Sequence, residues 1–438
     1  MLQKLTYTIS SNDFNINMEA LNKHFDRVCV FDSNPQANNN KYLLTSQLVA
    51  IGCIRELIVE KEGDALQQLQ GFINENKSWA FGYLTYDLKN EIENISSAKS
   101  DGLKFPVLHF FVPQVVMQIN DRTISVHYDD QFVSKTEVEK IYNLAVNEVV
   151  KPQQQVVLAN IKSKIDKQNY IDAVNKLKQH IRLGDIYEIN FCQEFYAENS
   201  DINTVDVYKN LNDISQAPFT AYCKFGEHYL LCASPERFIQ KRGNRLISQP
   251  IKGTIKRSSS KTEDEQLKNE LQNSNKERSE NIMIVDLVRN DLSRIAKRGS
   301  VKVDELFGVY SFKQVHQLIS TIACEPKENV SFTDIIKSTF PMGSMTGAPK
   351  VSAMKLIEHY ESTKRGLYSG AVGYIDPTGD FDFNVVIRSI LYNADNHYLS
   401  FMVGSAITDK ADAEMEYDEC LLKAKALFEV LGSRELAC

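Results

Sequence analysis

The stretch "HYLLCASPERFIQKRGNRLISQPIKGTIKR", residues 228–257, alternates polar and apolar positions with the two-residue period of β-strands. Two segments upstream, "YEINFCQEFYAE" (187–198) and "FTAYCKF" (219–225), keep the same period. Strands come in runs with helices between the runs, and no strand-helix-strand regularity is visible. That order argues for an α+β fold with large antiparallel sheets.

One residue in the stretch stands out. Lys252 lies between Ile251 and Gly253, where an alanine would satisfy the local pattern. Taken alone it reads as a strand-end lysine with its amine in water, since lysine is mostly exposed.

Outward from the strands, "KQNYIDAVNKLKQHIRLGD" (167–185) sets Ile171, Val174, Leu177 and Ile181 at helical spacing and stops at Gly184. Further helices are predicted from Glu277 to about Lys297, from Pro349 to Glu361 and from Ala413 to Leu431. Between the last two, "GDFDFNVVIRSILYN" and "YLSFMVGSAIT" read as strands. Residues 1–150 alternate strand-like runs with polar loops, and a proline and glutamine run within 146–166 marks a boundary before a second region, 155–435. The length of 438 residues allows two or three domains or one large intertwined unit, and 43% hydrophobic residues suffice for a sizeable core.

Lysine plus arginine total 50 against 57 aspartates and glutamates, with no long basic block, so nucleic acid is not an expected partner. No apolar run approaches the roughly 18 residues of a membrane span. The first twenty residues lack the pattern of a secretory signal, and a cytoplasmic protein is expected. Eight scattered cysteines form no Cys-x-x-Cys pair and read as reduced, buried small residues.

Four features bear on chemistry. Glu277 with Glu280, and Glu416 with Glu419, are carboxylate pairs at three-residue spacing on two helices, so each pair shares a face. Facing each other across a cleft they would call for a hard cation such as magnesium; otherwise they are solvated helix starts favoured by the macrodipole. The loop "FPMGSMTGAPKVSAM" (340–354) runs into a helix and offers backbone N–H groups to an anion, or is simply a capped helix start. Arg388 faces opposite to Phe383, Val385 and Ile387 on its predicted strand and would suit a carboxylate in a cleft, or solvent. His316 is a lone histidine among apolar residues, more often a hydrogen-bonded core residue than a catalyst. No hydrolase nucleophile turn is present, so ammonia chemistry would need ammonia from elsewhere.

Eight segments in order resemble the chorismate-utilising enzymes, the family of anthranilate, aminodeoxychorismate, isochorismate and salicylate synthases. They are "GDIYEINFCQEF", "SPERF", "PIKGTIKR", "ERSENIMIVDLVRNDLSR", "VHQLIST", "FPMGSMTGAPKVSAM", "RGLYSGAVGYIDPTGDFDFNVVIRS" and "EMEYDECLLKAKAL", spanning Tyr170 to Leu431. "VFDSNP" and "WAFGYLTYDL" resemble the family's N-terminal part. The resemblance is strongest to the aminodeoxychorismate-forming branch, because Lys252 stands where anthranilate synthases carry alanine.

The resemblance implies a sandwich of antiparallel sheets with helices on its outer faces. It implies magnesium held by Glu280 and Glu419, with Glu277 and Glu416 in the same site, and Glu236 as the general acid for the departing 4-hydroxyl of chorismate. Such an acid needs a raised pKa. Tyr368, Arg388, His316, Thr346 with Gly347, and the backbone at Gly404 and Ser405 fall where the family contacts its substrate. Lys252 is implied to attack C2, after which ammonia from a glutamine amidotransferase subunit adds at C4. Its amine must then be neutral, so its pKa is expected to fall from about 10.4. Glu188 stands where many relatives have glutamine, and where the isochorismate and salicylate synthases have the lysine that activates water; an acid there argues against that chemistry.

Overall fold

The computed structural model describes residues 2–9, 15–34, 46–120, 122–147 and 160–432. Two antiparallel sheets organise them. In the first, of twelve strands, Leu2–Thr8, Thr123–Asp129, Val115–Asn120, Gln47–Ile51 and Arg27–Asp32 lead to Phe219–Phe225, His228–Ser234, Ser389–Asn393, Tyr398–Ile407 and Glu188–Ala197, with two short strands at that end. The second, of ten, runs from Ile251–Lys256 through Val315–Cys324, Arg245–Gln249, Arg237–Arg242, Phe381–Val385, Ala371–Ile375, Ala80–Leu84 and Leu108–Val112 to Arg55–Val59. Its remaining strand, Lys302–Ser311, pairs with Val315–Cys324. The antiparallel α+β expectation holds.

Period-two alternation sends neighbouring residues into two different cores. Cys29, Leu48, Ala50, Ala221, Cys223, Leu230 and Cys232 face inward against Phe81, Tyr83 and Phe111 of the second sheet. Their neighbours Val28, Val30, Val49, Ile51, Tyr222 and Leu231 face a second core under helices that supply Tyr170, Val174, Leu177, Leu427 and Phe428. Small side chains on one inner face meet large aromatic ones on the other, so the two faces interdigitate. The described cysteines are free, and all but Cys53 are buried in these cores.

The Lys167–Leu183 helix ends at Gly184 with φ 87°, the left-handed C-cap its sequence announces. The three later helices occupy Asn275–Ile295, Lys350–Tyr360 and Ala413–Val430. The predicted boundary at 146–166 lies largely outside the described residues. On either side of it the regions 1–150 and 155–435 do not form separate sheets: Arg27–Asp32 pairs with Phe219–Phe225, and Ala80–Leu84 pairs with Ala371–Ile375. Among the described residues no helix is long and apolar enough to cross a membrane.

Candidate active site

The segment "HYLLCASPERFIQKR" is two strands, one in each sheet. His228–Ser234 ends in the first sheet, the chain turns through Pro235 and Glu236, and Arg237–Arg242 begins in the second. A matching corner lies alongside: Phe381–Val385 leaves the second sheet and Ser389–Asn393 enters the first. The corners are hydrogen-bonded to each other, the Val385 N–H to the Glu236 carbonyl at 3.0 Å and the Ala233 N–H to the Arg388 carbonyl at 3.2 Å.

Glu236 is 5% exposed, and its carboxylate accepts the Ser344 hydroxyl at 2.6 Å. Burial pushes its pKa up to about 7, against the opposing pull of Ser344, the Ile251 backbone and the charge of Lys252. Arg237 beside it is locked away from the site, paired to Asp382 at 2.9 Å and stacked 4.8 Å from the Phe219 ring centre.

Lys252 is not a solvated strand end. Its ammonium pairs with Glu188, whose strand belongs to the opposite sheet, so the ion pair bridges the sandwich. Its own carbonyl accepts the Asn281 side chain at 3.3 Å, and Asn281 in turn accepts the Ser320 hydroxyl at 2.6 Å. The sequence expectation of a lowered pKa is not met. Burial pulls it down, but Glu188, then Glu280, outweigh burial and hold the ammonium above its ordinary range. Glu188 is 2% exposed, and among the described residues its second oxygen, Oε2, has no hydrogen-bond partner.

Two residues sit differently from their sequence placement. Arg388 is not on a strand. It occupies the sheet-changing corner with φ 52°, a left-handed conformation that turns its side chain out of the strand alternation assumed from sequence. Burial lowers its pKa, opposed by Tyr368 nearby, and among the described residues no carboxylate pairs with it. His316 belongs to a different cluster: its ring nitrogens bond Ser311 Oγ at 2.8 Å and Asp264 at 3.0 Å, and Asp264 also binds Arg257. Both ring nitrogens are engaged there and 1% of its surface is exposed.

Tyr368 is buried with its hydroxyl 3.7 Å from Cys192 Sγ. The 340–349 loop keeps its backbone donors at home: Met345 and Thr346 N–H bond back to Met342 and Gly343, and the Thr346 hydroxyl does the same. What it delivers to the site is Ser344. Gly347, at φ 152°, pairs beside Glu188, and a Cβ there would overlap the Glu188 carbonyl oxygen. Gly404 packs so tightly on Cys192 and Asn190 that a Cβ would overlap both. Ser405 turns to the acidic helix and bonds Glu416.

The two acidic helices do approach each other. Glu277 and Glu416 each interact electrostatically with Glu419, and Glu280 with Glu277 and Glu188. Burial raises the pKa of Glu280 to about 7 and raises Glu277 and Glu416. Glu419 is lowered: burial is outweighed by Lys423, which pairs with it at 2.7 Å. Among the described residues no three acids, histidines or cysteines converge into a ready-made cage. An all-carboxylate set with few simultaneous ligands fits magnesium, which takes one or two carboxylates and completes its shell with water and substrate.

A protein-family model described as chorismate binding enzyme matches residues 28–429. The chain belongs to the chorismate binding enzyme family. It is 30% identical over 399 residues to aminodeoxychorismate synthase component 1 of Bacillus subtilis, covering 86% of this chain and 84% of that protein. It is also 30% identical over 402 residues to anthranilate synthase component 1 of Acetivibrio thermocellus, covering 85% and 81%. The crystal structure of anthranilate synthase component I from Streptococcus pneumoniae superposes with a TM-score of 0.77 at 27% identity, covering 88% of this chain and 94% of that one.

In this chorismate binding enzyme the sequence left several supporting residues unmarked. Ser344, Asn281 and Lys423 act by hydrogen bonds across elements that are far apart in the chain. Arg365 is another. It pairs with Glu361 at 2.6 Å, donates to the carbonyls of Met345 at 2.6 Å and Asn190 at 2.9 Å, and lies 4.5 Å from the Tyr86 ring centre. It therefore ties the Ser344 loop to the Glu188 strand. An i, i+4 Glu-Arg pair was the available signal, but such pairs are ordinary on exposed helices.

Proposed function

We propose that this chain is the chorismate-binding component of an aminodeoxychorismate synthase, an amino-group transferase that converts chorismate and ammonia to 4-amino-4-deoxychorismate for 4-aminobenzoate and folate synthesis. The reading includes ammonia from a separate glutamine amidotransferase subunit and a cytoplasmic setting. The observation that carries it is Lys252, held inside the site by Glu188 and close enough for its charge to act on Glu236.

In this reading Glu236, neutral through burial, donates its proton to the departing 4-hydroxyl, which leaves as water. Lys252 forms a bond to C2 as that group leaves, and ammonia then adds at C4 and expels the lysine. Arg388, which no carboxylate among the described residues pairs, and Tyr368 beside it would receive a substrate carboxylate. Glu280 and Glu419, with Glu277 and Glu416 beside them, would hold magnesium, which when bound neutralises the ring carboxylate and stabilises developing charge.

The test is product identification after incubation with chorismate, magnesium and ammonium, with mass spectrometry for an adduct on Lys252. Aminodeoxychorismate and the adduct are expected. Anthranilate would favour a second reading, direct amination at C2 followed by pyruvate loss, which the similarity to anthranilate synthase component 1 keeps in view. Lys252→Ala is expected to lose most aminodeoxychorismate formation or to drift to chemistry at C2; an unchanged rate and product would refute the lysine's role.

A further inference from the structure

Lys252 must be neutral to attack, yet the site around it is built to keep it charged. Glu188 bonds its ammonium, and Glu280 and Glu277 add their fields from the neighbouring helix. Water in bulk cannot readily take the proton, because Glu188 is 2% exposed and the Lys252 side chain only 12%. Among the described residues the one acceptor in hydrogen-bond contact with the ammonium is Glu188 itself. It is also an incompletely satisfied anion, since Oε2 is buried without a donor. A buried ion pair with one oxygen unsatisfied regains little of its desolvation cost.

Resting on the aminodeoxychorismate reading, we propose that Glu188 is the base that activates Lys252 and the acid that restores it. As the substrate closes the site, one proton crosses from Lys252 Nζ to Glu188, turning an ion pair into a neutral amine and a carboxylic acid. The Nζ lone pair then forms the bond to C2 while the C4–O bond breaks and Glu236 supplies the proton that makes the leaving group water. Ammonia forms the C4–N bond, the C2–Nζ bond breaks with its electron pair returning to nitrogen, and Glu188 gives its proton back to the released amine. Glu236 is re-protonated from solvent, so chorismate and an ammonium ion yield protonated product and water. Sequence position gives no hint of this pairing, because Glu188 and Lys252 lie on different sheets and meet only in the folded chain.

The decisive variant is Glu188→Gln, which keeps the size and an accepting oxygen but cannot take a proton. Single-turnover formation of the Lys252 adduct, followed by mass spectrometry, is expected to slow by about 100-fold or more, the usual worth of a positioned base. The residual rate should climb as pH is raised toward about 7, the range in which Glu236 still holds its proton, because the lysine must then lose its own to solvent, while chorismate affinity by titration calorimetry stays within about twofold. If Glu188 were only a static counter-ion, its removal would make the buried amine easier to deprotonate, and the adduct would form as fast or faster at neutral pH. Either outcome overturns the proposal. Glu188→Asp, which keeps a carboxylate at shorter reach, is expected to recover part of the rate; recovery no better than with glutamine also counts against it. If the parent enzyme itself forms no adduct, the functional reading fails; if it forms one and Glu188→Gln matches it, only the assignment to Glu188 fails.

Discussion

Glu236 and Ser344 set the pH behaviour expected of the enzyme. A carboxyl raised to about 7 is in its donating, neutral form below that pH and loses it above, so turnover limited by this proton should fall as pH rises through about 7. The same shift has a stability counterpart. A neutral buried carboxyl is tolerated in acid, and the cost of ionising it grows as pH rises from the ordinary carboxyl range toward 7. Ser344 holds the pKa down by bonding the anion, so Ser344→Ala is expected to move the alkaline limit of kcat upward; a fixed limit in a pH-rate profile would sever Ser344 from Glu236. At this scale the sequence was legible for residue identity and poor for direction. Lys252 and Glu236 were visible through the ordered motifs. His316 is the hydrogen-bonded core residue that its apolar neighbours suggest, bonding Ser311 and Asp264. Its neighbour Gln317 keeps a buried, unpartnered side-chain oxygen, a clue that only coordinates supply.

The elements around the site are braced by close approaches that tolerate little change. Gly347 lets the short strand at 347–348 lie against Glu188, with a backbone angle other residues rarely adopt. Gly347→Ala is expected to destabilise the fold by about 1–3 kcal/mol, from overpacking and strain together, and to lower turnover by shifting Glu188; urea unfolding paired with kinetics checks both. Arg365→Met would leave Glu361 buried without its partner and is expected to cost about 3–5 kcal/mol by the same measurement. Helices were well read from apolar spacing and caps, as Gly184 shows. The strand after Phe381 was not: "FDFNVVIRSIL" alternates only as far as Val385, and the chain leaves one sheet and joins the other across Val386–Arg388. The three apolar residues Val385, Val386 and Ile387 read as a continuing buried strand, so the corner that carries Arg388 was hidden.

For the molecule as a whole, the N-terminal third is structural to the site rather than appended to it. Ala80–Leu84 sits between Ala371–Ile375 and Leu108–Val112, and Arg27–Asp32 between Phe219–Phe225 and Gln47–Ile51. Removing residues 1–150 would bare interior strand edges and take away a large part of both cores, so the remainder is expected to be insoluble or unfolded. Intact, the chain should melt in one cooperative transition by calorimetry; two resolved transitions would contradict a shared core.

The paired corners at Glu236 and Arg388 make a seam where the two sheets are stitched together, backbone to backbone. The sandwich cannot slide or part along that seam without breaking both stitches. The hem lies elsewhere, at the edge strand Ile251–Lys256, which is half-buried at its start and exposed at Thr254 and Lys256. Lys252 and Glu188 form the clasp between the sheets at that open side. Hydrogen exchange should therefore find the Ala233 and Val385 amides among the last to exchange and those of the hem among the first, and the enzyme should admit its substrate by unclasping at the lysine while the acid stays fixed.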